Sequence, residues 1–147
     1  MLKPTLDRKT IAQLVPHHGS MCLLDRVLFW DSHHIQCETD RHTMATNPLR
    51  REGVLPAVCG VEFALQAMAL HGALSTEGTP QRAGFVSSLR DIEMKVERLD
   101  DIPTSLLIVA EAIVAETNGF IYRFAISAHG QDLVSGQAAV ILPAVAT

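Results

Sequence analysis

One stretch decides the fold: residues 54–74, which read VLPAVCGVEFALQAMALHGAL. Its small residues fall on nearly every side of a helix: Ala57, Gly60, Ala64, Ala67, Ala69, Gly72 and Ala73. An ordinary surface helix carries a charged face, and this stretch has none. The pattern therefore predicts one long core helix, residues 54–74, that other backbone can approach closely.

The flanking sequence predicts strands and turns. Before the helix we predict a short helix over residues 7–15, a hairpin of 23–30 and 34–39, and an irregular polar loop over 40–53. After it, the patterns predict strands at 92–96, 106–116, 120–128 and 131–142, with hairpin turns at 118–119 and 129–130. An initial hairpin, one buried helix and an antiparallel meander describe an α+β domain of the hotdog kind, with an antiparallel sheet wrapped around one long central helix. The length of 147 residues fits a single domain, 1–147.

Composition and charge exclude several classes of function. The net charge is −4, and the basic residues are scattered apart from Arg50–Arg51, so no nucleic-acid partner is expected. Residues 54–74 contain Glu62, Gln66 and His71, and an ionisable group at mid-bilayer costs at least about 2.5 kcal/mol, so no membrane insertion is expected. No apolar signal segment follows the first residues, which favours a cytoplasmic location.

The cysteine and histidine patterns predict no metal site. Three widely spaced cysteines lie in apolar stretches and are interpreted as buried thiols: Cys22, Cys37 and Cys59. Histidines occur as adjacent pairs at 17–18 and 33–34, and neighbours on a strand point to opposite faces, so neither pair chelates well.

Glu62 is the most informative residue for function. A carboxylate within an apolar helix is rarely buried without a partner or a task, and Gln66 lies one turn later on the same face. Burial would favour the protonated carboxyl and make Glu62 a proton donor near neutral pH. A structural carboxyl, bonded to Gln66 or to a neighbouring strand, is the alternative that the sequence leaves open.

Two histidines are candidate bases. His17 and His42 lie in irregular segments that flank the predicted hairpin, from which they can reach the start of the long helix. His71 lies about half a helical turn around from Glu62, so we interpret it as a core or interface histidine.

Two motifs carry a resemblance to a known family. Residues 16–27 read PHHGSMCLLDRV, and residues 55–67 read LPAVCGVEFALQA. Both are similar to motifs of the 3-hydroxyacyl-[acyl carrier protein] dehydratases of fatty acid synthesis, within the hotdog dehydratase superfamily. The resemblance implies a lyase that dehydrates a 3-hydroxyacyl thioester, linked to acyl carrier protein or coenzyme A, to the trans-2-enoyl thioester. That reaction requires no metal or redox cofactor.

The chain departs from that family at the loop histidine. An ungapped count back from Pro56 places it at position 48, which is Pro48, whereas a gapped alignment places His42 there. This departure, with the segments 47–49, 55–57, 69–74 and 84–90, is closer to the dehydratase-like proteins of aryl polyene lipid gene clusters. In such proteins the Pro-His motif supplies the well-placed histidine.

The resemblance implies a role for each candidate residue. Glu62 would be the acid, set opposite a histidine of the other protomer. We prefer His17 as the base, because rigid elements flank it, whereas mobility of the loop at His42 would cost pre-organisation. The N–H groups of Ala57, which replaces the family's glycine, and of Val58 would face the thioester carbonyl. Substrate-binding contacts are further expected from Gln66 and His42.

Two other classes of function stay open. The chain is alternatively a catalytically weak subunit of a heteromeric dehydratase, which the missing loop histidine favours, or a hotdog acyl-thioesterase or acyl-thioester binding protein. A single hotdog leaves a sheet edge exposed, so we expect a homodimer or a heteromer with another hotdog subunit.

Overall fold

The computed structural model describes residues 5–16, 19–76 and 84–143. The elements in chain order are β1 (Leu6–Asp7), α1 (Arg8–Leu14), β2 (Arg26–Trp30), β3 (His34–Thr39), α2 (Gly60–Ser75), β4 (Phe85–Met94), β5 (Leu106–Glu116), β6 (Gly119–Ala128) and β7 (Gln131–Ile141). The strands form one antiparallel sheet in the order β1-β2-β3-β5-β6-β7-β4. This sheet packs around α2, which confirms the predicted α+β hotdog architecture.

The small residues of α2 allow close packing against the sheet. A Cβ on Gly60 would lie 2.9 Å from Cδ1 of Ile126 on β6, so the first turn of the helix nearly touches that strand. Phe63, Met68 and Leu70 are fully buried. The segment Ala57–Ser75 is long and apolar enough to cross a membrane by composition alone, but 67% of that window is buried inside the protein. It is the core helix that the sequence predicted.

The long helix begins later than predicted. The prediction was residues 54–74, whereas Ala57–Cys59 form a 3-10 turn and the α-helix begins at Gly60. Pro56 explains the difference, because proline has no N–H to donate and disfavours the helical conformation of the residue before it. Glu62 therefore lies in the first turn of α2 rather than in the middle of a helix.

Side-chain caps define the first elements. Asp7 caps α1 by accepting a hydrogen bond from the N–H of Thr10 at 3.0 Å. Asp31 closes the β2–β3 turn, since its Oδ1 accepts from the N–H groups of His33 at 2.8 Å and His34 at 2.7 Å. In both places the backbone N–H groups have no backbone carbonyl as partner, and the aspartate carboxylate accepts their hydrogen bonds instead.

A β-bulge shapes the edge strand β4. Asp91 and Ile92 lie opposite the single residue Gly136 of β7. Asp91 takes a φ of 54°, a left-handed conformation that Asp tolerates better than most residues. Ile92 consequently packs against the core, and its Cδ1 occupies the place that a Cβ on Gly136 would need. A Cβ at position 136 would therefore force the end of the Ile92 side chain to move.

We predict that Gly136→Ala destabilises the protein by about 1–3 kcal/mol, the usual cost of overpacking a core. Urea titration measures the loss. Combining it with Ile92→Val, which removes the clashing methyl group, should recover part of that loss. Ser135→Ala, next in sequence on the other face of the strand, is the control and should change stability little. Equal stability of Gly136→Ala and the wild type would contradict this interpretation of the bulge.

Candidate functional site

Glu62 and Gln66 are in contact at the start of α2. Glu62 is half-buried, whereas Gln66 is fully buried. The Nε2 of Gln66 lies 3.5 Å from Oε1 of Glu62, a weak hydrogen bond, and donates a shorter one of 2.7 Å to the carbonyl of Met21. The Oε1 of Gln66 accepts from the N–H of Leu23 at 2.8 Å. The donors and the acceptor of the Gln66 amide are thus bonded to protein groups. The expectation that Gln66 contacts the substrate is therefore corrected.

The backbone at the helix start is only partly available to a ligand. The N–H groups of Ala57 and Val58 were expected to face a thioester carbonyl. In the structure Ala57 is buried and its N–H donates to the carbonyl of Glu97 at 3.0 Å. Val58 is 54% exposed and lies in the 3-10 turn that leads into α2, where N–H groups lack acceptors within the helix. The expectation that the Ala57 N–H faces the thioester carbonyl is therefore corrected. For the Val58 N–H this contact remains a proposal.

Charged groups converge near Cys59, one turn before Glu62. Burial raises the pKa of the Cys59 thiol, the positive charge of Arg51 opposes that rise, and the negative charge of Glu62 adds to it. Arg51 and Glu62 therefore lie at the same end of α2. Cys59 is half-buried rather than buried as predicted, whereas Cys22 and Cys37 are buried. In the sequence, Arg51 belongs to the basic pair Arg50–Arg51, which gave no indication of its place beside Glu62.

His42 is a buried structural residue. It lies in the 3-10 turn Arg41–Thr43, fully buried, and its Nε2 donates to the carbonyl of Ile102 at 3.0 Å. Arg50 donates to the His42 carbonyl at 3.3 Å and so holds the same turn. His42 is therefore packed into the protein rather than exposed on an open loop, as its place in a polar segment had suggested. Its expected contact with substrate is likewise corrected, because the ring faces the protein interior.

The Asp-Arg-Val motif at residues 25–27 has a structural role. Asp25 accepts hydrogen bonds from the N–H of Asp40 at 2.7 Å and from Nε of Arg41 at 2.9 Å. Burial opposes ionisation of Asp25, but these donors hold its pKa below its usual value. The motif thereby fixes the start of β2 to the turn that carries His42. His17, the preferred base, lies outside the described residues, so its role stays a prediction.

His71 is a core histidine, as predicted. Its Nε2 donates to the carbonyl of Asp31 at 2.8 Å, so its Nδ1 accepts the hydroxyl hydrogen of Tyr122. Burial lowers the pKa of His71, as it lowers the pKa of His42. Within residues 5–16, 19–76 and 84–143, no three or more histidine, cysteine, aspartate or glutamate side chains are grouped to hold a metal ion.

The buried histidines predict a pH-dependent stability. Their pKa values are lower in the folded protein than the value of about 6.5 in an unfolded chain, so the unfolded state binds more protons as pH falls. Stability should be complete above pH 6.5 and decrease below it, by up to about 1.4 kcal/mol per pH unit for each histidine. In urea titrations between pH 7.5 and 5, His42→Gln should flatten this dependence, and His129→Gln, on an exposed turn, should not. An unchanged slope in His42→Gln would contradict the assignment.

Comparisons with known proteins agree with this fold. A family model described as ApeP-like, ApeP dehydratase, matches residues 9–147. No curated protein matches significantly. The structure of the dehydratase heterocomplex ApeI:P from Xenorhabdus doucetiae is similar with a TM-score of 0.79 at 20% identity, over 92% of this chain and 91% of that one.

Two thioesterase structures are similar at a lower level. Zebra fish thioesterase superfamily member 2 has a TM-score of 0.62 at 17% identity, with 94% of this chain and 99% of that chain covered. A hypothetical thioesterase from Streptococcus pneumoniae TIGR4, solved with coenzyme A, has a TM-score of 0.55 at 14% identity, with 80% and 84% covered. At these identities the structural likenesses establish the hotdog fold.

The family match establishes family membership as well as the fold, because it spans nearly the whole chain. It includes both sequence motifs, 16–27 and 55–67. It confirms the resemblance to the hotdog dehydratases and to the branch of dehydratase-like proteins within them. The chain therefore belongs to the ApeP-like dehydratase family.

Proposed function

We propose that this chain is a subunit of a hotdog dehydratase that converts a 3-hydroxyacyl thioester into the trans-2-enoyl thioester. The observation that carries the proposal is the half-buried Glu62 carboxyl at the start of α2, held by Gln66. Family membership supports the reaction class, and the likeness to a dehydratase heterocomplex supports a second hotdog subunit beside this one.

The chemistry requires an acid, a base and a donor for the thioester oxygen. A base removes the C2 proton, the electrons of that bond form the C2–C3 double bond, and the C3 hydroxyl takes a proton from the acid and leaves as water. We assign the acid to Glu62. We assign the oxygen donor to the N–H of Val58, where the helix dipole favours the negative charge that develops. The reaction is redox-neutral and needs no electron acceptor.

The base and the carrier are further parts of the proposal. His17 is assigned the base, because His42 is buried against Ile102. The carrier is an acyl carrier protein, with coenzyme A as the alternative thioester. The proposed setting is the cytoplasmic synthesis of fatty acids or aryl polyene-type lipids.

We assign the contact surface for the second subunit to the edge strand β4. This strand pairs with β7 on one side and forms the end of the described sheet. It presents large apolar side chains to solvent, with Phe85 70% and Met94 50% exposed. Monomeric proteins avoid a long apolar edge strand, whereas the opposite edge, β1, has only two residues. A hotdog edge strand added to β4 would extend the sheet across both subunits.

A thioesterase is the second candidate. The half-exposed Glu62 is accessible enough to activate a water molecule, and two similar structures are thioesterases by description. Assays with 3-hydroxyacyl and plain acyl thioesters separate the two functions, because only hydrolysis releases a free thiol. Thiol release from plain acyl thioesters, without enoyl formation, would replace the dehydratase by a thioesterase.

Glu62→Gln should fold normally and lose dehydration by at least about 10²-fold, the usual contribution of a general acid. His17→Ala should lose turnover to a similar extent. Enoyl-thioester formation, followed by absorbance, measures both effects in the assembled protein. Glu116→Gln, at the far end of β5, is the matched carboxylate control. An active Glu62→Gln protein would remove the proposed acid, and an active His17→Ala protein would transfer the base to the second subunit.

Leu89→Glu, on the exposed side of β4, should prevent association of subunits, because a desolvated charge in a strand interface is strongly unfavourable. Light scattering at micromolar concentration should show two chains for the wild type and one for the variant. Ile113→Glu, at an exposed apolar position on β5, is the control and should leave the assembly intact. A wild-type monomer would exclude the homodimer, and association would then have to appear on co-expression with a second hotdog subunit. Persistence of either assembly in Leu89→Glu would contradict the β4 interface.

A further inference from the structure

The segment of residues 19–25 connects the Pro-His motif to β2 and is held from the side of α1 by Arg8. The Nη1 of Arg8 donates to the carbonyl of Cys22 at 2.6 Å and to the carbonyl of Leu24 at 3.1 Å. Its Nη2 donates to the carbonyl of Gly19 at 3.0 Å. Three carbonyls thus converge on one planar guanidinium, whose fixed fork of donors suits such a set better than the point charge of lysine.

Gln66 holds the same segment from the side of α2. It donates to the carbonyl of Met21 and accepts from the N–H of Leu23, two residues that alternate with those held by Arg8. The remaining amide hydrogen of Gln66 faces Oε1 of Glu62. Each of these hydrogen bonds of the Gln66 amide is therefore either with the segment or with the proposed acid.

We propose that Arg8 and Gln66 form a positioning clamp, in which Arg8 fixes residues 19–25 and Gln66 transmits that placement to the carboxyl of Glu62. The inference rests on the proposed function, in which Glu62 is the acid. Neither residue touches the reacting atoms, so both are positioning residues. The ion pair of Arg8 with Asp25, at 3.9 Å, is secondary to the three carbonyl contacts.

The clamp has a consequence for kinetics. Without Arg8 the carbonyls turn to water, residues 19–25 gain freedom, and the Gln66 amide loses the fixed partners that orient it. Glu62 then samples orientations in which it cannot reach the substrate hydroxyl. Small misplacements of a catalytic group cost up to about 10²-fold in rate, so kcat should fall while KM changes little.

The test compares Arg8→Met, Arg8→Lys and Gln66→Met with the control Lys9→Met, which removes a neighbouring exposed cation from the same helix. All are measured in the assembled, full-length protein. We expect a 10- to 100-fold loss of kcat in Arg8→Met and Gln66→Met, and a smaller loss in Arg8→Lys, which keeps the positive charge. Lys9→Met should match the wild type. If the buried Gln66→Met fails to fold, the two Arg8 variants carry the test.

Two spectroscopic measurements make the result independent of turnover. Hydrogen exchange at the Leu23 amide reports whether the segment is held, and the ¹³C resonance of the Glu62 carboxyl reports its surroundings. The proposal requires that Arg8→Met accelerate the exchange and shift the resonance. Faster exchange with an unchanged Glu62 resonance and kcat would show a structural clamp only, and no change in either measurement would exclude the clamp. Activity retained in Glu62→Gln would instead overturn the proposed acid, while the resonance would still decide the positioning.

Discussion

The structure depends on the buried amide of Gln66. Its three hydrogen bonds connect the core helix to the segment before β2 and to Glu62. A buried polar group left without its partner costs about 1–3 kcal/mol, so this amide can be replaced only by a group with the same donors and acceptor. The two sequence motifs, residues 16–27 and 55–67, therefore meet at one side chain.

The start of α2 shows how a polar site is built into an apolar core. Pro56 delays the start of the helix. The residues on either side of Pro56 are hydrogen-bonded to the segment that follows β4: the N–H of Leu55 donates to Asp100, and the N–H of Ala57 donates to the carbonyl of Glu97. The α-helix then begins at Gly60 against β6, which places the first turn, with Glu62, near the surface.

The sheet is asymmetric at its two edges, and this constrains assembly. β1 is short and lies beside α1, which limits what can pair with it, whereas β4 is a ten-residue strand with apolar side chains in solvent. The bulge at Asp91 and Ile92 bends β4 and turns Ile92 into the core, so its outer positions remain available to a second subunit. Among the described residues, the sheet therefore ends on one side in a long exposed strand, β4, which the proposed second subunit could extend.

The sequence by itself determined the architecture, because periodicity and turn chemistry are local. The all-round small residues of 54–74, the turns at 118–119 and 129–130 and the alternating strands were sufficient to predict a core helix within an antiparallel sheet. The family followed from two short motifs whose residue types are visible in one dimension. Glu62 was recognised because a carboxylate in an apolar run conflicts with its surroundings.

Tertiary structure alone decided which polar groups are already satisfied. Sequence spacing placed His42 in a loop that can reach the helix, but its burial and its bond to Ile102 depend on a segment 60 residues away. Gln66 and Ala57 were assigned to substrate for the same reason, since their partners lie in other parts of the chain. Arg8 carried no sequence signal, because its three acceptors are backbone carbonyls, which every residue has. Hydrogen-bond partners of buried groups are set by long-range packing, and local pattern does not contain that information.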